Sequence, residues 1–347
     1  MNLNPKISFV LAARNDDYAG NFLNRVTTSL KVLIYLANKF KSNFELIVVE
    51  YNPPKDKERL SVALKIKNNT HLPVRFITIP TEFHESISKG FKNPLFEYIA
   101  KNIGIRRARG EYILTMNPDI IFEEKLIEFL SQDSLNKHNF YRINRHDIST
   151  STFDEKMEIP EILDECRKKE TRVWVMNGLK YVSYKQWLKR FFRKPKPKNL
   201  IVCPLFNFRL KIKDLFNPKA IHQNAAGDFC LAHRDAWHAV RGFYQEPFNF
   251  YMDGYNAFMF DCKGFEQKIL PFPIYHINHG WGNNVRSVSM FNESTKETSP
   301  DLPSTIIETK EYIRTVKEMF RTKIPYKENV VDWGFPDINF EEETVTV

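Results

Sequence analysis

The feature that most constrains this chain is the alternation of short apolar runs with amphipathic segments over its first 130 residues. Apolar runs rich in strand-forming residues occupy 6–13, 44–50, 74–79 and 112–116. Helical spacing of apolar residues fills 22–40 and 95–109, and a further helical stretch follows at 123–130. Strands alternating with helices predict a parallel sheet with helices on its faces and ligands at the carboxyl ends of the strands. We therefore expect an α/β fold.

Two common nucleotide-binding devices are missing from this pattern. No GxGxxG follows the first strand and no GxxxxGK[ST] is present, which argues against a dinucleotide-binding dehydrogenase and a P-loop enzyme. A nucleotidyltransferase is an alternative with a similar sheet, but Ala12-Ala13-Arg14-Asn15 is not a Gly-rich phosphate loop. A bound nucleotide would need another device.

The composition limits the class of protein and the cellular compartment that we expect. The 347 residues are 42% hydrophobic, enough for a large core, and no run reaches the roughly 18 apolar residues of a spanning helix. We read no signal peptide, and the four cysteines form no CxxC pair, which argues against a zinc ribbon or a disulfide framework. These features favour a reducing, cytoplasmic location.

The net charge of +9 fits nucleic acid, an anionic membrane surface or an anionic substrate such as a sugar nucleotide. Basic and aromatic residues are concentrated at 185–198, whereas 341–343 is acidic. The basic segment is either a solvated surface or a peripheral contact with a membrane surface. We expect no nucleic-acid partner.

The segment 100–119 carries the strongest motif: a helix ending at Gly110, a buried strand, and the turn Asn117-Pro118-Asp119. The strand would deliver the Asp119 carboxylate to the ligand edge of the sheet. A diphosphate bound there needs a cation, and a carboxylate holding Mn²⁺ or Mg²⁺ supplies one. The alternative is an ordinary turn capped by Asp119.

This segment resembles the family-2 glycosyltransferases and their GT-A relatives. The resemblance rests on Asn102, Gly104, Ala108 and Gly110, followed by Glu111 and a strand that leads to the Asp-x-Asp position. It implies a GT-A type fold, a Rossmann-like and mostly parallel central sheet flanked by helices, with an irregular insertion and a C-terminal extension. Asn117 departs from the pattern, because it replaces the first aspartate and an amide brings no charge to a metal.

The resemblance also implies a binding site for a nucleoside diphosphate sugar. Polar residues after the first two strands stand where the family binds base and ribose, with solvated loop residues as the alternative. The implied donor-binding residues are Arg14, Asn15, Asp16, Glu50, Asn102, Arg107, Asn117 and Asp119.

A second block, 224–242 followed by 251–254, resembles the C-terminal part of galactosyltransferase-like GT-A enzymes. There an acidic residue acts as general base on the acceptor hydroxyl, a role that falls here on Asp253. Asp228 would bind acceptor or donor-sugar hydroxyls. The alternatives are a helix N-cap for Asp253 and a turn for Asp228.

In 271–282 the pattern Tyr-His-x-x-His places His276 and His279 near the end of the catalytic domain. The resemblance implies that they complete the metal site with Asp119, and a neutral imidazole is a suitable Mn²⁺ ligand. Structural histidines are the alternative.

The prediction is an inverting, metal-assisted hexosyl- or pentosyltransferase acting on a glycan or related acceptor. We expect a donor half at 1–135, an insertion at 136–221, an acceptor half at 222–285, and a helical extension with an acidic tail at 286–347. Two alternatives stay open: a non-catalytic glycan- or nucleotide-binding protein, and a nucleotidyltransferase.

Overall fold

A computed structural model describes residues 4–67, 69–88, 90–91, 93–132, 135–176, 178–182, 221–247, 251–279 and 306–345. Within them, one sheet of eleven strands organises the chain. The strands are β1 (Ile7–Ala13), β2 (Phe44–Tyr51), β3 (Val74–Ile79), β4 (Tyr112–Met116), β5 (Ile120–Phe122), β6 (Asn139–Ile148), β7 (Glu170–Val175), β8 (Gly178–Tyr181), β9 (Cys230–His233), β10 (Glu266–His276) and β11 (Glu341–Val345). The helices are α1 (Phe22–Lys39), α2 (Leu60–Ala63), α3 (Thr81–Ile87), α4 (Glu97–Arg107), α5 (Glu124–Ser131), α6 (Ile159–Lys168), α7 (Arg234–Val240), α8 (Met252–Cys262) and α9 (Ile306–Thr322).

The N-terminal half of the sheet is parallel. Strands β3, β2, β1 and β4 lie side by side in that order, and each pairs in parallel with its neighbour. All residues of these four strands are buried, because helices cover both faces. One core contains α1, α5 and α6, and the other contains α4, α7, α8 and α9. This arrangement confirms the predicted α/β fold class and is consistent with a GT-A type fold.

Beyond β4 the sheet is mixed and recruits distant parts of the sequence. Strand β9 pairs antiparallel with both β4 and β6, and β10 runs parallel to β6. The short β5 closes this side by pairing antiparallel with β10. Strands β7 and β8 form a hairpin beside β6. This half of the sheet lies next to the turn that carries Asp119.

Helix α4 packs unusually close to the sheet at Gly104. A Cβ atom at this position would lie 2.5 Å from Val10 Cγ1 and 3.0 Å from Val49 Cγ2. Only a residue without a side chain allows this approach, as the sequence predicts. The helix is thereby held where its buried face can reach the carboxyl ends of β1 and β4.

The C-terminal part of the chain wraps back onto the donor half. Helix α9 packs against α8, and β11 adds an antiparallel edge strand to β3. The acidic residues at 341–343 lie in β11, where Glu342 pairs with Arg75. The sheet thus draws strands from all four predicted domains, between 7 and 122, 139 and 181, 230 and 276, and 341 and 345. The domain division predicted from sequence stays a prediction.

The basic segment 185–198 lies outside the described residues. Among the helices that the structure describes, none is both long enough and apolar enough to cross a bilayer.

We predict that Gly104→Ala lowers the free energy of unfolding by about 1–2 kcal/mol. Overpacking against Val10 and Val49 costs about 1–3 kcal/mol, and the better helix propensity of alanine returns up to about 1 kcal/mol. Urea unfolding measures the change. The double variant Val10→Ala/Gly104→Ala should lose less than the sum of the two single variants, because a smaller side chain at position 10 makes room for the new methyl group. Simple additivity would contradict the packing explanation.

Candidate functional site

The turn Asn117-Pro118-Asp119 connects β4 to β5 at the carboxyl edge of the parallel strands. Asp119 is the last residue before β5, and only 7% of it is exposed. Helix α1 packs against β5, where the Ser29 hydroxyl donates to the carbonyl of Ile120. The turn is therefore held on both sides, and its carboxylate has a defined position at the ligand edge.

Pairing between β5 and β10 brings two histidines to this carboxylate. In the antiparallel register His276 lies opposite Ile120, the residue after Asp119. The backbone N–H of Ile277 then donates to the Asp119 carbonyl over 3.1 Å, which continues the pairing past the end of the strand. His279 follows within this tethered segment. His276 and His279 follow Asp119 by 157 and 160 positions in the sequence. The pairing of β5 with β10 makes them neighbours in space.

The three side chains have the geometry of a metal site. Asp119 Oδ2 lies 3.1 Å from His279 Nε2 and 3.9 Å from His276 Nε2. The two imidazole Nε2 atoms are 3.2 Å apart. Ligand atoms around one small divalent ion lie about 3–3.5 Å apart, so one ion fits among these three atoms with modest adjustment. In the described part of the chain this is the one such group of three metal-ligating side chains.

The donor set indicates which ion fits. Mg²⁺ prefers oxygen ligands and keeps several waters, whereas imidazole nitrogen suits manganese and later transition metals better. Two imidazoles and one carboxylate therefore favour Mn²⁺ over Mg²⁺. Three protein ligands also leave coordination positions open for a substrate.

The protonation states suit metal binding. Burial by itself would raise the pKa of the Asp119 carboxyl, but His276, His279 and Arg25 outweigh it and hold that pKa well below its usual range. Burial lowers the pKa of His276, despite the opposing effect of Asp119. An ionised carboxylate and a neutral imidazole are the forms that bind a cation.

A second carboxylate lies behind His276. Asp147 on β6 lies opposite His276 in the β6–β10 register, with its Oδ1 atom 3.8 Å from His276 Nδ1. Asp147 also accepts from the Trp174 indole over 3.0 Å and pairs with Arg145 and Arg172. At 3.8 Å this contact is electrostatic and longer than a hydrogen bond, so Asp147 places a negative charge behind His276.

The loop after β1 faces the metal-site residues from the other side. Asp17, Ala19 and Asn21 all have φ between 53° and 59°, in the left-handed region that side chains rarely adopt. Arg25 of α1 holds this loop by donating to the carbonyls of Tyr18 and Gly20, and its Nε lies 3.7 Å from Asp119 Oδ2. Strain maintained by a buried arginine is typical of a ligand-binding loop.

Asp228 lies at the centre of a buried polar network. Its Oδ1 accepts from the Asn117 amide over 2.8 Å, and its Oδ2 accepts from Arg145 Nη1 over 2.7 Å. Asn117 in turn accepts from Lys101 Nζ over 2.7 Å. Asp228 and Asn117, which the sequence assigns to the acceptor and donor sides, are thus direct partners.

Asp253 lies beside this network in the first turn of α8. Its Oδ2 accepts from the backbone N–H of Gly227 over 2.8 Å, so it faces the 226–228 turn. The residue at the N-cap position of α8 is Tyr251, and no side chain caps the helix there. The N-cap alternative for Asp253 therefore does not apply. Among the described residues, no hydrogen bond reaches its Oδ1.

The predicted residues after β1 and β2 lie at the same edge of the sheet and are braced by their own loops. Arg14 pairs with Asp16 and donates to the carbonyl of Asn52, and Asn15 donates to the carbonyl of Glu58. Glu50 is 1% exposed and accepts from the Leu60 N–H and from Arg59. Glu50 therefore fixes the start of α2 at the wall of the cleft.

Two residues of the predicted donor site are engaged elsewhere. The Asn102 amide donates to the carbonyl of Phe243 and accepts from its N–H, which clasps α4 to the loop after α7. Arg107 donates to the carbonyls of Gly334, Phe335 and Ile338 and so anchors the C-terminal segment. Both side chains therefore hydrogen-bond to backbone atoms of the C-terminal half. The structure does not bring them to the Asp119 cluster.

Sequence reasoning missed the buried cations of the site. Lys101 is fully buried on α4, and Arg142 is fully buried on β6, where it donates to three carbonyls of 222–226. Arg145 and Asp147 follow on the same strand. The run 142–147 (Arg-Ile-Asn-Arg-His-Asp) is rich in charged residues but has no period-2 alternation, so the sequence did not mark it as a strand that carries site residues.

No protein family model matches the sequence, and no curated protein matches it. Among solved structures, the backbone is similar to that described as the crystal structure of S. aureus TarS 1-349. The two chains are 13% identical, the match covers 78% of this chain and 60% of that chain, and the TM-score is 0.40. This chain therefore spans less than two thirds of that structure. A similarity of this size carries no functional assignment, and the function rests on the site itself.

We predict that Asp119→Ala weakens Mn²⁺ binding by at least roughly 100-fold, because it removes the one anionic ligand that the described residues supply to the site. His276→Ala and His279→Ala should each weaken it by roughly 10-fold or more. Isothermal titration calorimetry with Mn²⁺ measures the affinities. His138→Ala is the control, since His138 is exposed and distant in the sheet from the site. Wild-type Mn²⁺ affinity in Asp119→Ala would contradict the metal site.

Proposed function

We propose that this chain is a metal-assisted glycosyltransferase that uses a nucleoside diphosphate sugar and forms the new bond with inversion. One observation carries the proposal. Asp119, His276 and His279 converge at the carboxyl edge of the parallel strands, where the same turn binds Asp228 through Asn117, and Asp253 binds the neighbouring Gly227. The resemblance of 100–119 and 222–254 to GT-A enzymes supports the same reaction class.

The charges around the site fit a diphosphate once a divalent ion is bound. With the histidines neutral, the cationic and carboxylate side chains of the connected network are equal in number, so their formal charges cancel. They are Arg25, Lys101, Arg142, Arg145 and Arg172, against Glu97, Asp119, Asp147, Asp228 and Asp253. A bound Mn²⁺ would leave two positive charges, which a diphosphate bridge neutralises. The metal would supply charge stabilisation for the leaving diphosphate.

Donor binding is proposed along the edge formed by β1, β2 and β4. The loop of 14–21 contains three left-handed residues, is held by Arg25 and reaches the metal-site residues, where the Tyr18 ring contacts His279. We assign the nucleoside to the side of Arg14, Asn15, Asp16 and Glu50, and the diphosphate to Asp119. We leave Asn102 and Arg107 out of this proposed site, because their side chains hydrogen-bond to backbone of the C-terminal half. Asn15 and Glu50 are also engaged by hydrogen bonds, but to the loop that borders the nucleoside side, so in the proposal they shape it.

Asp253 is the proposed general base, and Asp228 binds substrate hydroxyls. Both oxygens of Asp228 already accept hydrogen bonds, one from an amide and one from a guanidinium, so its geometry suits binding more than proton transfer. Asp253 has one oxygen fixed by the Gly227 N–H. Its other oxygen, Oδ1, is available to take the proton of the acceptor hydroxyl. The hydroxyl oxygen then attacks the anomeric carbon while the bond from that carbon to the diphosphate breaks.

The acceptor is proposed to be a glycan or a related polyhydroxyl compound, bound on the side of α8 and the β7–β8 hairpin. Trp174 of this hairpin packs against the Arg145 guanidinium, 5.4 Å from its ring centroid, and Arg145 holds Asp228. An aromatic ring next to polar groups suits a sugar face. Cytoplasmic location and membrane contact through 185–198 remain predictions from sequence.

Two alternatives remain: a binding protein without catalysis and a nucleotidyltransferase. A panel of nucleoside diphosphate sugars incubated with the protein and Mn²⁺ separates them. Transfer or slow hydrolysis that releases a nucleoside diphosphate supports the proposal. Binding without release indicates a binding protein, and release of pyrophosphate from nucleoside triphosphates with a sugar phosphate indicates a nucleotidyltransferase.

We predict that Asp253→Asn lowers turnover by about 10² to 10⁴-fold with unchanged donor affinity, because only general-base catalysis is removed. The amide oxygen can still accept from the Gly227 N–H, so the melting temperature should not change. Initial rates with saturating donor and calorimetry of donor binding test this. Asp235→Asn is the matched control, since the side chain of Asp235 is 86% exposed and belongs to α7. Full activity of Asp253→Asn would assign the proton to another group.

A further inference from the structure

Asn117 occupies the place where the resemblance leads one to expect an aspartate, and its surroundings explain why. Lys101 Nζ lies 2.7 Å from the Asn117 Oδ1 atom, and Asn117 Nδ2 lies 2.8 Å from Asp228 Oδ1. An ammonium only donates and an ionised carboxylate only accepts, so the orientation of the amide is unambiguous. The side chain accepts on one side and donates on the other.

The groups on either side of Asn117 also have their hydrogen-bond partners assigned. The three protons of the Lys101 ammonium go to Glu97 Oε1 at 2.6 Å, Asn117 Oδ1, and the Gly227 carbonyl at 3.0 Å. The second oxygen of Asp228 accepts from Arg145 over 2.7 Å. Lys101, Asn117 and Asp228 thus form one largely buried chain in which each of these hydrogen bonds joins a donor to an acceptor.

An aspartate at position 117 would break the chain at one contact. Its first oxygen could accept from Lys101, but its second would face Asp228 Oδ1 at the distance that the amide N–H now spans. Two buried carboxylate oxygens about 3 Å apart without a proton between them repel strongly. The amide is therefore matched to Asp228 and is not a weakened metal ligand.

We infer that Asn117 is a positioning residue that holds the Asp228 carboxylate in place by joining it to Lys101. Its functional consequence rests on the proposed function, in which Asp228 binds substrate hydroxyls beside the metal site. The inference predicts that restoring the aspartate expected from the family pattern damages this protein, and that moving the carboxylate from 228 to 117 repairs the damage to the fold.

A double-mutant cycle in metal-free buffer tests the contact through the melting temperature. Asn117→Asp should lower it by roughly 5–10 °C, since it places a second carboxylate directly against Asp228. Asn117→Ala is the matched control that removes the amide without adding charge, and it should lose less. Asp228→Asn should also lower it, because an amide at 228 that accepts from Arg145 turns its NH2 group toward the NH2 group of Asn117, and two donors then face each other.

The double variant Asn117→Asp/Asp228→Asn decides the matter. A carboxylate at 117 would accept from both Lys101 and an amide at 228, and that amide would accept from Arg145, so every partner is satisfied again. We expect it to melt several degrees above Asn117→Asp, a strong positive coupling. Melting at the sum of the two single losses, or wild-type melting of Asn117→Asp, would overturn the inference. If Asn117→Asp does not fold, a folded double variant supports the inference and an unfolded one overturns it.

A second readout separates positioning from a merely structural role. The double variant keeps the three metal ligands, so calorimetry should give it wild-type affinity for Mn²⁺. Its carboxylate is at position 117 instead of position 228. Mn²⁺-dependent hydrolysis of the nucleoside diphosphate sugar should therefore stay at least about 10²-fold below wild type. Recovery of hydrolysis together with melting would overturn the positioning role. If the wild type hydrolyses no donor, the proposed function fails. The double-mutant cycle of melting temperatures still tests the contact between Asn117 and Asp228.

Discussion

The antiparallel pairing of β5 with β10 is the interaction on which the rest of the site depends. Three residue pairs join these strands, and the register places His276 opposite the residue that follows Asp119. A shift of one residue would turn His276 to the other face of the sheet and remove it from Asp119. The Ile277 N–H then extends the pairing to the Asp119 carbonyl, which keeps His279 within reach. Asp147 reaches His276 through the neighbouring β6–β10 pairing. The cluster is therefore a property of strand register.

The charged side chains around this cluster form a chain of hydrogen bonds and ion pairs in which each charge has a neighbour of opposite sign. From Glu97 the chain runs through Lys101 and Asn117 to Asp228, and on through Arg145 to Asp147. Removing one partner from such a chain leaves a buried charge without compensation, which costs several kcal/mol in typical proteins, roughly 3–5 kcal/mol for a buried pair. The chain links helix α4 to strand β6, and the neutral Asn117 lies where it passes from Lys101 to Asp228.

Much of the sheet could be predicted before any coordinates, because the relevant signals are local. The runs at 44–50 and 112–116 are apolar over their full length, as expected for strands buried on both faces, and they match β2 and β4 within a residue. Gly104 was recognisable as a close-packing position from its place in the helix motif, and the Val10 contact accounts for it. Asp119, His276 and His279 were also proposed from sequence, and the structure brings all three together. Asn102 came from the same motif, yet its amide clasps Phe243, because a motif marks a position without telling which way the side chain is used.

What the sequence alone determined is the alternating α/β order, the carboxylate at the end of β4, and the identity of the residues able to hold a metal. Only the tertiary structure decided which of these residues meet. Arg145 and Asp147 lie in a stretch that seemed irregular, and their role follows from the register of β6 with β10 and β7. The pairing of Asn117 with Asp228 spans 111 positions and depends on β9 inserting between β4 and β6. Periodicity along a chain reports which face of an element is buried, whereas contacts between distant elements depend on packing that no local pattern encodes.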